Sequence, residues 1–167
     1  MPSTTCPACG RSSPLSTVHR AGCPAAPDEA DADPLDRALE LARRELDMDL
    51  AFLGEVADGH EIIFRTSGDP AVFGLRQGMS IPLGETICDR VLDGGLSGVL
   101  PDVRADTGLR GLTCGHVGAY IGVPLSAGAQ RYMLCCLAGE ARPSLHRGDL
   151  RFLQGLSATV ASALQDD

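Results

Sequence analysis

The sequence predicts an α+β domain, an antiparallel sheet with helices from its two ends packed on one face. Three observations lead there. Two pairs of strand-like runs are each joined by a short turn, which makes the paired strands antiparallel neighbours. An amphipathic helical pattern precedes the first pair and another follows the second. The segment between the pairs is rich in Gly and Pro and has room only for short elements. Each terminal helix has an apolar stripe to bury, and one face of the sheet can cover both.

The domain opens with a helix start. Asp33 can cap, Pro34 suits the first helical position, and Asp36 favours the positive helix end. Leu35, Ala38, Leu39, Ala42 and Leu46 then recur at helical spacing. Strands at Leu50–Val56 and His60–Arg65 flank Asp58-Gly59, a hairpin dipeptide. A loop region with Gly68, Pro70, Gly74 and Gly78 leads to a short strand at Met79–Pro82. Thr86 and Asp89 have capping-box spacing and start a short helix that ends at Gly94-Gly95. Ser97–Leu100 reads as a strand stopped by Pro101. Ala119–Leu125 and Arg131–Leu137 read as a hairpin around a five-residue loop. Ser144 caps the last helix, whose main apolar stripe is Leu150, Leu153, Leu156, Val160 and Leu164. Phe152 and Ala163 widen that stripe on an adjacent side, where a second copy could pack.

Composition narrows the function. Among 167 residues the net charge is −8, with no cluster of Lys or Arg, so nucleic acid and anionic membrane surfaces are repelled. No apolar run approaches the roughly 18 residues of a membrane span. The first residues are polar and lack the apolar core of a signal peptide, which gives a cytoplasmic expectation. A reducing compartment argues against disulfides for the seven cysteines. Residues 24–32 form a Pro/Ala/acidic linker between an arm, 1–23, and the domain, 33–167.

The arm carries Cys6-Pro-Ala-Cys9, then His19 and Cys23. A CxxC turn presents two thiolates on one side, and a His and a third Cys complete a tetrahedral set suited to structural zinc. Gly10 after the second Cys makes the stretch resemble a zinc knuckle. Cys6, Cys9, His19 and Cys23 are therefore the expected metal ligands.

Three segments carry a family resemblance: GMSIPLGETICDRVLDGGLSGVLPDVRAD (78–106), GAYIGVPL (118–125) and YMLCCLAGEARPSLHRGDLRFL (132–153). They resemble the GAF domain family, and within it a bacterial subgroup often joined to diguanylate cyclases, phosphodiesterases and histidine kinases. The resemblance covers about residues 33–165. It implies a ligand pocket between the sheet and the short helices and loops of its outer face. It also implies a sensory or regulatory role without catalysis, acting on a small molecule or a protein partner. No second domain follows the last helix in this sequence, so the expected output is a partner chain or a homodimer through the terminal helices.

The residues expected at that pocket are Cys88, Asp89, Arg90, Asp102, Arg104 and Tyr120. Arginine forks can hold an anionic ligand, and Tyr120 offers an apolar body with a polar tip. The competing reading pairs Arg90 with Asp89 or Asp102, and Arg104 with Asp106. Cys88 in the first turn of a helix is either a reactive thiol or a small buried apolar residue. Cys135 and Cys136, adjacent on a strand, point to opposite faces.

One GAF branch reduces free methionine sulfoxide. Cys88 within IPLGETIC resembles one of that branch's cysteines and Cys114 lies near the place of another, while Gly78 stands where the third is expected. That enzyme is the alternative reading, with a zinc-arm scaffold around an empty pocket as another. Cyclic nucleotide binding is disfavoured, since the matching stretch keeps only Asp149. Cys114-Gly115-His116 interrupts the Cys-His pair of bilin-binding relatives.

Overall fold

The computed structural model describes residues 33–94, 97–106, 109 and 116–165, together with the backbone of Thr4–Thr5 and Ser12–Ser13. Two compact units divide the chain, Met1–Asp33 and Pro34–Asp167. In the first, strand β1 (Thr4–Thr5) pairs antiparallel with β2 (Ser12–Ser13), with Thr4 opposite Ser13 and Thr5 opposite Ser12. The expected metal ligands Cys6, Cys9, His19 and Cys23 lie outside the described residues, as does Cys114.

The second unit is built on a six-stranded antiparallel sheet, in the order β5-β4-β3-β8-β7-β6. Its first helix, α1 (Pro34–Glu45), buries Leu35, Ala38, Leu39 and Ala42, the face that the spacing predicts. Strands β3 (Leu50–Ala57) and β4 (His60–Gly68) follow as a hairpin. Asp58 (φ 54°) and Gly59 (φ 75°) are both left-handed, the geometry that twists with the strands it joins. The register shifts between Leu53 and Gly54, which leaves Phe64 as the extra residue of a β-bulge. Beyond the bulge, Glu61 and Ile63 face the side of the sheet away from α1.

The connecting region holds 3-10 turns at Pro70–Phe73, Leu83–Glu85 and Val103–Ala105, strands β5 (Ser80–Pro82) and β6 (Val99–Leu100), and helix α2 (Ile87–Leu92). Thr86 caps α2 through Oγ1, which accepts the Asp89 N–H at 3.2 Å. Strands β7 (Ala119–Ala127) and β8 (Gln130–Ala138) form the second hairpin. Its loop is tighter than the sequence predicts. Ser126, Ala127 and Gln130 continue the ladder, and Gly128 (φ 62°) closes the turn.

Helix α3 (Arg147–Gln165) starts later than expected, and its cap is His146 instead of Ser144. The His146 Nδ1 accepts the Gly148 N–H at 2.9 Å, and the His146 N–H donates to the Asp149 carboxylate at 3.0 Å. This reciprocal pair is a capping box built from His and Asp. Ser144 lies in a preceding turn, closed by the Leu145 N–H to the Arg142 carbonyl at 3.0 Å.

Strand alternation splits the core into two layers. Ala51, Leu53, Ile121, Val123, Leu134 and Cys136 pack beneath α1 and α3, whose Leu39, Leu153, Leu156 and Val160 cover them. Leu50, Phe52, Tyr120, Met133, Cys135 and Leu137 face the other way, under Phe73, Ile87, Cys88 and Val103. The site lies in this second layer. No helix among the described residues is long and apolar enough to cross a membrane.

Candidate functional site

A cleft of about 50 Å³ opens on the outer face of the sheet. Phe52, Glu61, Ile63, Tyr120 and Leu137 form its sheet side, and Thr86, Ile87 and Cys88 come from α2 and its cap. Leu75, Ile81, Glu85 and Val117 complete the lining. Several water molecules, or one small polar group of a ligand, fit that volume.

Two glycines make room for the polar residues. A methyl at Gly54 would collide with the Glu61 carboxylate, which lies flat over β3. A methyl at Gly122 would collide with the Tyr120 hydroxyl, and would lie 2.7 Å from its ring carbon Cζ and 3.1 Å from Cys135 Sγ. Bare Cα positions on β3 and β7 thus let long side chains lie along the sheet instead of standing off it.

Beside the cleft four polar groups meet. Cys88 Sγ lies 3.3 Å from Cys135 Sγ. The Tyr120 hydroxyl lies 3.4 Å from each sulfur. A Glu61 carboxylate oxygen and both sulfurs lie within 4.8 Å of one another. All four side chains are buried, Glu61 to 1% exposure, and Glu61 Oε2 has no hydrogen-bond partner.

Burial sets the electrostatics here. It pushes the Glu61 carboxyl up to about 7, with the Cys88 hydrogen bond opposing. The hydrogen bond with Cys135 holds the Cys88 thiol well above its ordinary range, and burial and the nearby Cys135 and Glu61 add to it. Burial likewise raises Tyr120, as do the two sulfurs. The ionisable groups lining the cleft (Glu61, Glu85, Cys88 and Tyr120) are all acids. Nothing cationic there stabilises a thiolate, so Cys88 rests as a neutral thiol and a weak nucleophile.

Of the residues expected from sequence, the structure brings Cys88 and Tyr120 together. Tyr120 turns its hydroxyl to the two sulfurs. Asp89, Arg90, Asp102 and Arg104 do not line the cleft. Asp89 and Arg90 follow Cys88 around α2, where Arg90 is exposed. Asp102 is exposed, and Arg104 donates to the Gly139 carbonyl at 3.1 Å on the surface. Cys135 and Cys136 do face opposite ways, Cys136 toward the terminal helices.

Sequence reasoning missed Glu61 and the partnership of Cys135 with Cys88. A signal for Glu61 existed: it sits two residues before Ile63, in phase with an apolar face. Nothing local pairs residues 88 and 135, which only the sheet brings together.

The fold has many relatives of known structure. The GAF domain of an Acinetobacter phosphoenolpyruvate-protein phosphotransferase superposes with a TM-score of 0.61 at 15% identity, covering 77% of this chain and 78% of that one. The free methionine-R-sulfoxide reductase of Neisseria meningitidis, solved with its substrate, gives 0.59 at 17% identity over 77% and 74%. The GAF-B domain of DevS from Mycobacterium smegmatis gives 0.58 at 17% identity over 79% and 90%. At these identities the likeness establishes the fold. No curated protein matches the sequence. The family model for the GAF domain matches residues 32–165. With the six-stranded sheet, the helices behind it and the cleft in front, this places the chain in the GAF domain family.

Proposed function

We propose that this GAF domain is a sensory or regulatory module that binds a small molecule in the cleft beside α2 and carries out no catalysis. The observation that carries the reading is the cleft, an apolar recess with a few convergent polar groups. A route for the signal supports it. Tyr120 lines the cleft and its hydroxyl lies 3.4 Å from Cys135 Sγ, while their neighbours Ile121 and Cys136 belong to the layer under α1 and α3. A ligand that favours one position of those strands shifts the helices behind them. The helices then act on a partner chain or a second copy. Phe152 on α3 and Leu41 on α1 are exposed apolar residues available to a homodimer.

A metabolite panel read by thermal shift tests the sensor reading. A ligand at about a hundred times its Kd adds about 2.7 kcal/mol. Ile81→Trp, which fills the cleft from its edge, should abolish that shift. A shift retained in Ile81→Trp, or no shift from any compound, contradicts the proposal.

The reductase reading is favoured by one observation, the thiol of Cys88 at the cleft in a fold like that of the Neisseria enzyme. Thiol-dependent reduction of free methionine sulfoxide, lost in Cys88→Ser, would establish it in place of the sensor.

For the arm we propose structural zinc on Cys6, Cys9, His19 and Cys23, serving as a docking module. The β1–β2 pairing supports this, since Cys6 and Cys9 fall in the sequence between the two paired strands. Loss of one bound zinc in Cys9→Ser, by native mass spectrometry, is the expected outcome.

A further inference from the structure

We propose that Glu61, Cys88 and Cys135 form a binding site for a thiophilic divalent cation of the zinc class, with a fourth position open toward the cleft. This proposal uses none of the arm's residues and does not depend on a sensory ligand.

The geometry carries it. Three ligand atoms of suitable chemistry, two sulfurs and a carboxylate oxygen, lie within 4.8 Å of one another and are buried. They come from β4, α2 and β8, so the tertiary fold alone assembles them. Two thiolates and a carboxylate suit a borderline-soft cation and disfavour calcium or magnesium, which take all-oxygen shells. The Tyr120 hydroxyl, 3.4 Å from each sulfur, closes one side of the site.

A second, independent observation points to a cation. Glu61 Oε2 is fully buried and has no hydrogen-bond partner. Native proteins rarely leave such an atom without compensation. The lining of the cleft supplies no Lys, Arg or His to compensate it. A divalent ion on the Glu61 carboxylate would compensate its buried charge and balance the acids around it.

The two sulfurs also need little rearrangement. Sulfurs on a tetrahedral zinc stand about 3.8 Å apart, with zinc–sulfur bonds of about 2.3 Å. Cys88 and Cys135 stand at 3.3 Å. They must part by about half an ångström, and the short helix α2 that carries Cys88 can supply the movement. On binding, each thiol releases its proton to solvent, as does the Glu61 carboxyl where it is protonated. The ion then bonds to both sulfurs and to the carboxylate, and water or a cleft ligand takes the fourth position. No electrons are transferred.

The experiment uses the full chain with Cys6→Ser and Cys9→Ser, which removes two arm thiolates from the count. Zinc stoichiometry is read by native mass spectrometry, and Co²⁺ uptake by its thiolate charge-transfer absorption. One equivalent of metal and a Co²⁺ band from two thiolates are expected. Cys88→Ser and Cys135→Ser should each remove the equivalent, while Cys136→Ser, on the opposite face, should keep it. Glu61→Gln preserves shape and removes the uncompensated charge, so it should fold and bind at least tenfold more weakly. No bound equivalent overturns the proposal. So does a Co²⁺ spectrum without the thiolate band, undiminished affinity in Glu61→Gln, or a Cys88–Cys135 disulfide forming in place of metal uptake.

Discussion

Glu61 concentrates the electrostatic strain of the domain. Its carboxyl is raised from 4.5 to about 7 by burial. Between those values the folded protein holds a proton that the unfolded chain releases. The stability this contributes is fully present below about 4.5 and is lost as pH rises through about 7. In chelator-treated protein, Glu61→Gln should therefore be more stable than the parent at pH 8, by roughly 3 kcal/mol. It should also flatten the dependence between pH 5 and 8, as measured by urea unfolding. Equal slopes for the two proteins would contradict this account of the site. Gly122 makes a steric prediction. Gly122→Ala should displace the Tyr120 ring and lower stability by about 1–3 kcal/mol, since the methyl meets both that ring and Cys135. Tyr120 and Cys88 were legible in the sequence as site residues, but their environment was not. The sequence left Arg90 and Arg104 open between an anionic ligand and local ion pairs. Arg90 and Arg104 lie on the surface away from the cleft, because the short elements carrying them turn only one side to the sheet.

At the scale of elements, the hairpins and helix faces follow from local chemistry. Asp58-Gly59 supplies two left-handed residues, and the apolar spacing of α1 gives its buried face directly. Two boundaries resisted reading for a definite reason. The β7–β8 turn needs only a single left-handed glycine at its first central position, so polar Ser126 and Gln130 could be strand or loop by composition. The α3 cap uses a histidine ring nitrogen, a role more often taken by Ser, Thr, Asp or Asn. His146→Ala should lower stability by about 1 kcal/mol, and His146→Asn should restore most of it in thermal unfolding. An unchanged melting point in His146→Ala would show that the Asp149 half of the box is sufficient. Leu153 tests the helix layer. It is fully buried against the sheet, and Leu153→Ala should cost about 2–5 kcal/mol.

For the molecule as a whole, the sheet separates two tasks. One face is committed to α1 and α3, and the other holds the cleft and the buried acids. Strand alternation makes this division, which is why the fold class was readable from hairpins and terminal helices alone. The composition of the site was not readable in the same way. Residues 61, 88 and 135 are distant in sequence, and a β-bulge at Phe64 sets which side of the sheet Glu61 takes. Association is a property of this scale too. If the terminal helices form a homodimer, Phe152→Glu should halve the mass seen by light scattering without unfolding the domain. The same mass for parent and variant would remove α3 from the interface. The sensor reading itself is tested most directly by native mass spectrometry of the full chain after incubation with a metabolite extract. It predicts a non-covalent small-molecule adduct on the parent protein and none on Ile81→Trp. An adduct equally present on both, or absent from the parent, would contradict a ligand-binding cleft.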